Sequence, residues 1–345
     1  MPQGIYETGR RDNQEDAICP ALGEATPDER VFVLCDGMGG HEHGEVASQA
    51  VCTTIYEYFY AHWPNDGIVD DQLVYDAIQS AYIALDAKDS NTGKKMGTTL
   101  TMVVLHKRGC TAAHIGDSRI YHLRTSEHRL LYRSRDHSLV MDLYQAGEIP
   151  YEEMGTSPQK NIITKAMQPG EENRVKPDIV HIGNLLAGDY LYLCSDGMME
   201  QMDDSKLIGI LCTKDSDIEK KRQLIKATAG NSDNHSAHLI RIREVIKDEH
   251  EAVVDDEGTS RFNFLNIRPN IVDAVEVDTP KKETERLSTA NPPLAKNNYR
   301  WLWLLLAVMT ALIILFWMSL NSGDGDKTKQ QNPPSQEIEM KPIRR

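Results

Sequence analysis

The chain has 345 residues, and its 52 acidic against 38 basic side chains give a formal net charge of −14. That balance, with no basic cluster, argues against a nucleic-acid binder, though acidic substrates stay possible wherever cations neutralise the carboxylates locally. The length admits one large domain or two ordinary ones, and the six cysteines (Cys19, Cys35, Cys52, Cys110, Cys194 and Cys212) show no C-x-x-C spacing, which speaks against zinc and for buried, reduced thiols.

In chain order, the opening MPQGIYETGRRDNQ has no apolar core of the kind a secretory signal needs. Short apolar or β-branched runs predict strands at 31–35, 98–105, 110–115, 119–124, 189–194 and 237–243. Helical spacing predicts helices over 45–62, over 70–88, where Leu73, Ala77, Ala81 and Leu85 recur, and over 217–229. The long helices come as a consecutive pair and the strands as a hairpin-rich block. This predicts an α+β domain with antiparallel sheets over 1–245 rather than a doubly wound nucleotide fold.

Beyond it, 246–299 reads as an acidic and polar linker that includes DEHEAVVDDEG at 248–258. A stretch from Arg261, RFNFLNIRPNIVDAVEV, alternates enough to form a strand or to dock on the domain, and both readings stay open over 261–277. WLWLLLAVMTALIILFWMSL at 301–320 carries no charge, is long enough for a bilayer core and places Trp301, Trp303 and Trp317 near its ends. It predicts a single C-terminal transmembrane helix over 300–320; a buried core helix rarely stays apolar on every face for this length. Lys281, Lys282, Arg286, Lys296 and Arg300 precede the span, whereas Lys327 and Lys329 follow it beside Asp324 and Asp326. That asymmetry favours a single-pass protein with a cytoplasmic domain and a disordered tail, 321–345, on the opposite side.

The chemistry-bearing residues are mostly carboxylates where a strand or turn gives way to a loop. RRDNQED holds Glu15 and Asp16, VFVLCDG holds Asp36 and Gly37, AHIGDSR holds Asp117, LYLCSDG holds Asp196 and Gly197, and GNSDN holds Asp233 and Asn234. Singly, each Asp-Gly or Asp-Asn is ordinary turn chemistry. Jointly, aspartates on rigid strand ends can converge, and carboxylates that close repel strongly unless cations lie between them. Oxygen-only ligands favour Mg²⁺ or Mn²⁺. An aspartate bridging two ions about 4 Å apart is a common device for displacement at phosphorus.

In order and spacing, R-x-x-x-E-D, DGMGGH, GTT, GDSR, DHS, SDG and DN resemble the PPM family of metal-dependent serine/threonine protein phosphatases, also called type 2C-like, and its bacterial branch in particular. The resemblance covers about 4–243. It implies an αββα sandwich: two antiparallel sheets flanked by helices, with the metal site in a cleft at one edge. It further implies that Asp36 bridges two ions, that Gly37 offers its carbonyl, that Glu15 holds one ion partly through water, and that Asp196 with Asp233 holds the other. Asp117 with Asp196 would form a weaker third site, and Asp16 would orient bound waters from outside. Arg11 matches the family's phosphate-binding arginine, with Arg10 its natural control. The implied reaction is attack of a cation-activated water on the phosphorus of phosphoserine or phosphothreonine in proteins, with no covalent enzyme intermediate.

Two positions depart from the family pattern. Met38 stands where animal members place a histidine, leaving His41 or His43 as proton donors or as structural residues. Lys165, in NIITKAM after a flap at about 139–160, stands where relatives often have arginine. Thr98, Thr99, Asp136 and His137 read as hydrogen-bonded scaffold. The leading expectation is thus a membrane-tethered phosphatase opposing serine/threonine kinases. The alternatives are a membrane-tethered phospho-reader or scaffold with weak or no catalysis, and a two-metal phosphohydrolase acting on small phosphomonoesters or on nucleic acid, the last disfavoured by the acidic balance.

Overall fold

The computed structural model describes residues 1–39, 43–89, 96–170 and 174–245. The expected linker, its 261–277 stretch, the membrane span at 300–320 and the tail lie outside the described residues. Among the described residues no helix is long and apolar enough to cross a membrane.

In chain order the strands are β1 (Gln3–Glu7), β2 (Asp16–Cys19), β3 (Val31–Met38), β4 (Gly97–Thr98), β5 (Leu100–His106), β6 (Gly109–Ile115), β7 (Arg119–Arg124), β8 (Arg129–Arg133), β9 (Asp178–Ile182), β10 (Tyr190–Cys194) and β11 (His235–Arg241). The helices are α1 (His43–Ala61), α2 (Asp71–Asp86), α3 (Leu139–Gln145), α4 (Tyr151–Met154), α5 (Asp204–Leu211) and α6 (Asp217–Thr228). One sheet runs β1-β11-β10-β7-β8. The other runs β2-β3-β5-β6-β9, with β4 against β3, and the pairings are antiparallel.

Side-chain alternation sorts the strands into three apolar layers. In β3, Val31, Val33 and Cys35 pack beneath α1 and α2 with Val51, Ile55, Phe59, Ile78 and Leu85, while Phe32 points between the sheets. In β10, Tyr190, Tyr192 and Cys194 meet Leu207, Leu211 and Leu224 of α5 and α6, while Leu191 and Leu193 join Phe32 between the sheets. Strands covered on both faces need a continuous apolar run, which is what VFVLC and YLYLC provide. The result is the expected αββα sandwich. His238 of β11 lies buried between the sheets, donates from Nε2 to the Val33 carbonyl (3.3 Å) and sits edge-on to Phe32.

Helices α2, α5 and α6 start on side-chain caps: Asp70 accepts from Leu73 N–H, Asp203 from Lys206 N–H and Ser216 from Glu219 N–H. The three long predicted helices match α1, α2 and α6 to within two residues. Two strand expectations shift. The run 98–105 is divided at Thr99 into β4 and β5, and the strand expected at 237–243 is β11, which begins at His235 and ends at Arg241. Edge strands β1, β2, β8 and β9 have no counterpart in the predicted set, because short strands paired on one side need no long apolar run.

Candidate metal centre and active site

Strand polarity carries the acidic residues to one end of the sandwich. Asp16 opens β2, Asp36 lies near the end of β3, Asp117 follows β6, Asp196 follows β10, and Asp233 precedes β11. Register pairs Asp16 directly with Asp36. The tight Gly116–Ser118 turn joins the end of β6 in one sheet to the start of β7 in the other.

The backbone around Asp36 is clamped. Its N–H donates to Thr99 Oγ1 (3.0 Å), and its carbonyl accepts from Thr98 Oγ1 (3.0 Å) and Thr99 N–H (2.9 Å). Thr99 Oγ1 also meets Ser118 Oγ (2.8 Å), tying Asp36 to the Asp117 turn. Gly37 answers to close approach: a Cβ there would lie 2.2 Å from the Gly44 carbonyl oxygen of α1 and 2.5 Å from that of Glu15. Gly197, in the second Asp-Gly, has the same reason, since its Cβ would lie 2.0 Å from the Asn234 carbonyl oxygen.

Asn234 does more than the sequence suggested. Its Oδ1 accepts from Glu15 N–H (2.8 Å), and its Nδ2 donates to the Thr8 and Asn13 carbonyls (2.8 and 2.9 Å), so one side chain pins the loop that delivers Arg11 and Glu15. Ser48 of α1 donates to the Glu15 carbonyl, and Ser195 donates to Asp16 Oδ2 (2.9 Å). The signal was present in the DN motif, but an amide binding three backbone groups is visible only in three dimensions. Arg11, largely exposed, donates to Asp233 Oδ2 (2.8 Å). His43 opens α1, half-buried, while His41 lies outside the described residues.

Crowded carboxylates cannot all hold charge. Loss of water, then the charges of Asp16, Asp196, Asp117 and Asp233, pushes Asp36 well above the ordinary aspartate range. Burial pushes Asp16 up to about 7 against the hydrogen bond from Ser195, and burial also raises Asp117 and Asp196. The buried Oδ1 atoms of Asp16 and Asp117 have no hydrogen-bond partner among the described residues. An all-oxygen set, self-repelling and with free lone pairs, fits hard divalent cations such as Mg²⁺ or Mn²⁺.

Two further motifs prove to be one structure. Arg119 of GDSR forks onto Asp136 of DHS (2.8 Å from Nε to Oδ1, 2.6 Å from Nη2 to Oδ2), bracing the turn behind Asp117. Lys165 reaches Asp178 and the His137 ring, beside the flap that carries α3 and α4.

Known proteins share this fold and much of this sequence. A sequence model of the family described as Protein phosphatase 2C matches residues 9–227. The protein phosphatase PhpP of Streptococcus pneumoniae is 31% identical over 252 residues, covering 68% of this chain and 94% of its own. Among solved structures, the Mycobacterium tuberculosis serine/threonine phosphatase PstP/Ppp superposes with a TM-score of 0.60 at 29% identity, over 71% of this chain and 99% of that one. A structure of the PstP catalytic domain in complex with two manganese ions gives a TM-score of 0.58 at 29% identity, covering 71% and 98%.

The fold and the acidic cluster together define a metal-dependent phosphatase. The chain belongs to the protein phosphatase 2C family, whose members remove phosphate from serine and threonine in proteins.

Proposed function

We propose that this serine/threonine protein phosphatase binds Mg²⁺ or Mn²⁺ at this cluster: Asp36, the Gly37 carbonyl, Glu15, Asp196 and Asp233 would hold two ions, and Asp117 with Asp196 would hold a weaker third. The observation that carries this reading is the convergence of carboxylates from five separate chain segments at one end of the sandwich. Such ions supply charge for the phosphoryl oxygens and acidify a water at neutral pH.

The protein's own groups prepare the rest. The Thr98 and Thr99 clamp holds Asp36 at a fixed position. Asp16, anchored at Oδ2 by Ser195, keeps Oδ1 available to accept a hydrogen bond from a water in the cluster. Arg11 exchanges its contact with Asp233 for two-point contact with the substrate's phosphoryl oxygens, a geometry suited to a planar guanidinium.

In this reading the uncharged 301–320 segment spans a membrane, holds the phosphatase domain on the cytoplasmic face through the 246–299 linker, and leaves the tail on the opposite side. There the enzyme opposes serine/threonine kinases acting on membrane and nearby proteins. The test is Mn²⁺-dependent release of phosphate from phosphothreonine peptide and p-nitrophenyl phosphate by the full chain, abolished by EDTA and by Asp36→Asn. Phosphopeptide binding without turnover would instead make it a phospho-reader, and preference for small phosphomonoesters would give it another substrate class. Protease added outside intact cells should trim no more than the tail; digestion of the domain would reverse the orientation.

A further inference from the structure

Outside the acidic cluster, His114 of β6, His137 after β8 and Asp178 at the start of β9 bring ligand atoms within 4.8 Å of one another. Residue types alone would suggest a transition-metal site. The protons argue otherwise. Gly116 N–H donates to His137 Nδ1 (3.1 Å), so the ring proton sits on Nε2, where a metal would need a lone pair. Moving that proton to Nδ1 would set it against the Gly116 N–H. The Lys165 ammonium moreover already lies 3.2 Å from Nε2 and 3.6 Å from Asp178 Oδ1.

The cluster is better read as an orienting device. His137 Nε2 lies 3.2 Å from Asp178 Oδ2 and donates to it; this hydrogen bond, foremost, holds the Asp178 carboxyl well below its usual range. His114 stacks on the His137 ring (4.7 Å, 11°) and donates from Nε2 to the Arg135 carbonyl, fixing the ring plane. Behind this support, His137 grips Gly116 at both peptide groups: it accepts at Nδ1 from the Gly116 N–H, and its own N–H donates to the Gly116 carbonyl (2.9 Å). Gly116 immediately precedes Asp117, whose buried Oδ1 has no protein partner. Backbone placement therefore has a large share in setting where that carboxylate points.

We propose that His137, its tautomer set by the Gly116 N–H at Nδ1 and by Asp178 at Nε2, is a positioning residue that aims Asp117 through Gly116 and thereby sets the affinity of the cation held by Asp117. The inference rests on the reading above that Asp117 holds a cation. Outer partners of this kind are worth about 10- to 100-fold in metal affinity.

The test is Mn²⁺ binding, by calorimetry and by the electron paramagnetic resonance signal of free Mn²⁺, on the full chain and its Asp117→Asn, His137→Ala, His137→Asn and Asp178→Asn variants. Asp117→Asn should remove the weakest class of sites. His137→Ala should weaken that class about 10- to 100-fold and leave the tighter ions unchanged. His137→Asn, whose amide oxygen can accept from Gly116 N–H, should recover most of the loss, and Asp178→Asn should weaken the same class by less. Should His137→Ala not fold, the last two variants carry the test alone. An unchanged weak class in His137→Ala and Asp178→Asn, alongside its loss in Asp117→Asn, would overturn the positioning role only. An unchanged weak class in Asp117→Asn would overturn the cation assignment beneath it, and Zn²⁺ bound through the two histidines would overturn the orienting reading.

Discussion

Asp16 and Asp36 face one another in register across β2 and β3, one buried and the other half-buried. Without cations the pair is a source of instability. Both carboxyls are raised, chiefly by loss of water, Asp16 to about 7, so between the unfolded value near 4 and about 7 the folded state keeps protons that the unfolded state has released. Stability of the cation-free domain should therefore fall as pH rises through that window. Asp36→Asn in EDTA should raise the unfolding free energy at pH 7.5 by about 1 kcal/mol while abolishing Mn²⁺-dependent turnover. Urea titrations with and without Mn²⁺ check this; a less stable variant in EDTA would contradict it.

Asn234→Ala should loosen the loop that carries Arg11 and Glu15, because it frees the Glu15 N–H and the Thr8 and Asn13 carbonyls at once. The expected cost is about 2 kcal/mol in stability, with a clear rise in the Mn²⁺ concentration needed for half-maximal rate. Thermal melts and a metal titration of activity read the two effects separately.

Arg11→Ala should lower kcat/KM for phosphothreonine peptide by about 10- to 100-fold, and Arg11→Lys should recover little, since a point charge cannot fork. Arg10→Ala should behave as wild type. Because the Arg11–Asp233 pair is largely exposed, unfolding midpoints should hardly move.

His238, buried between the sheets, is pushed down to about 4, chiefly by burial. An unfolded histidine takes up a proton near pH 6.5, so stability should be fully present above that pH and fall on acidification toward 4. His238→Gln should flatten this slope by about one proton, read from urea midpoints between pH 7 and 5. A slope unchanged in the variant would remove His238 from the acid response.

The sequence made the central strands and long helices legible because both depend on local pattern: VFVLC and YLYLC are buried on two faces, and α2 repeats an apolar stripe. Edge strands were not legible, since β8 (RLLYR) owes its existence to pairing with β7 rather than to its own residues. The acidic motifs announced a shared site, and the fold gathers them at one end. The binding roles of Asn234, Thr99 and Ser195 were hidden because side-chain hydrogen bonds across more than 60 residues leave no periodic trace. For the same reason the reciprocal grip of His137 on Gly116 appears only when β6 and the segment after β8 are side by side.

β11 begins beside the acidic cluster and ends at Arg241, six residues on, so the chain leaves the sheet about 20 Å from the cluster, at the far end of the sandwich. Residues 242–245 therefore take no part in the acidic cluster, and a phosphorylated side chain approaching those carboxylates does not meet them.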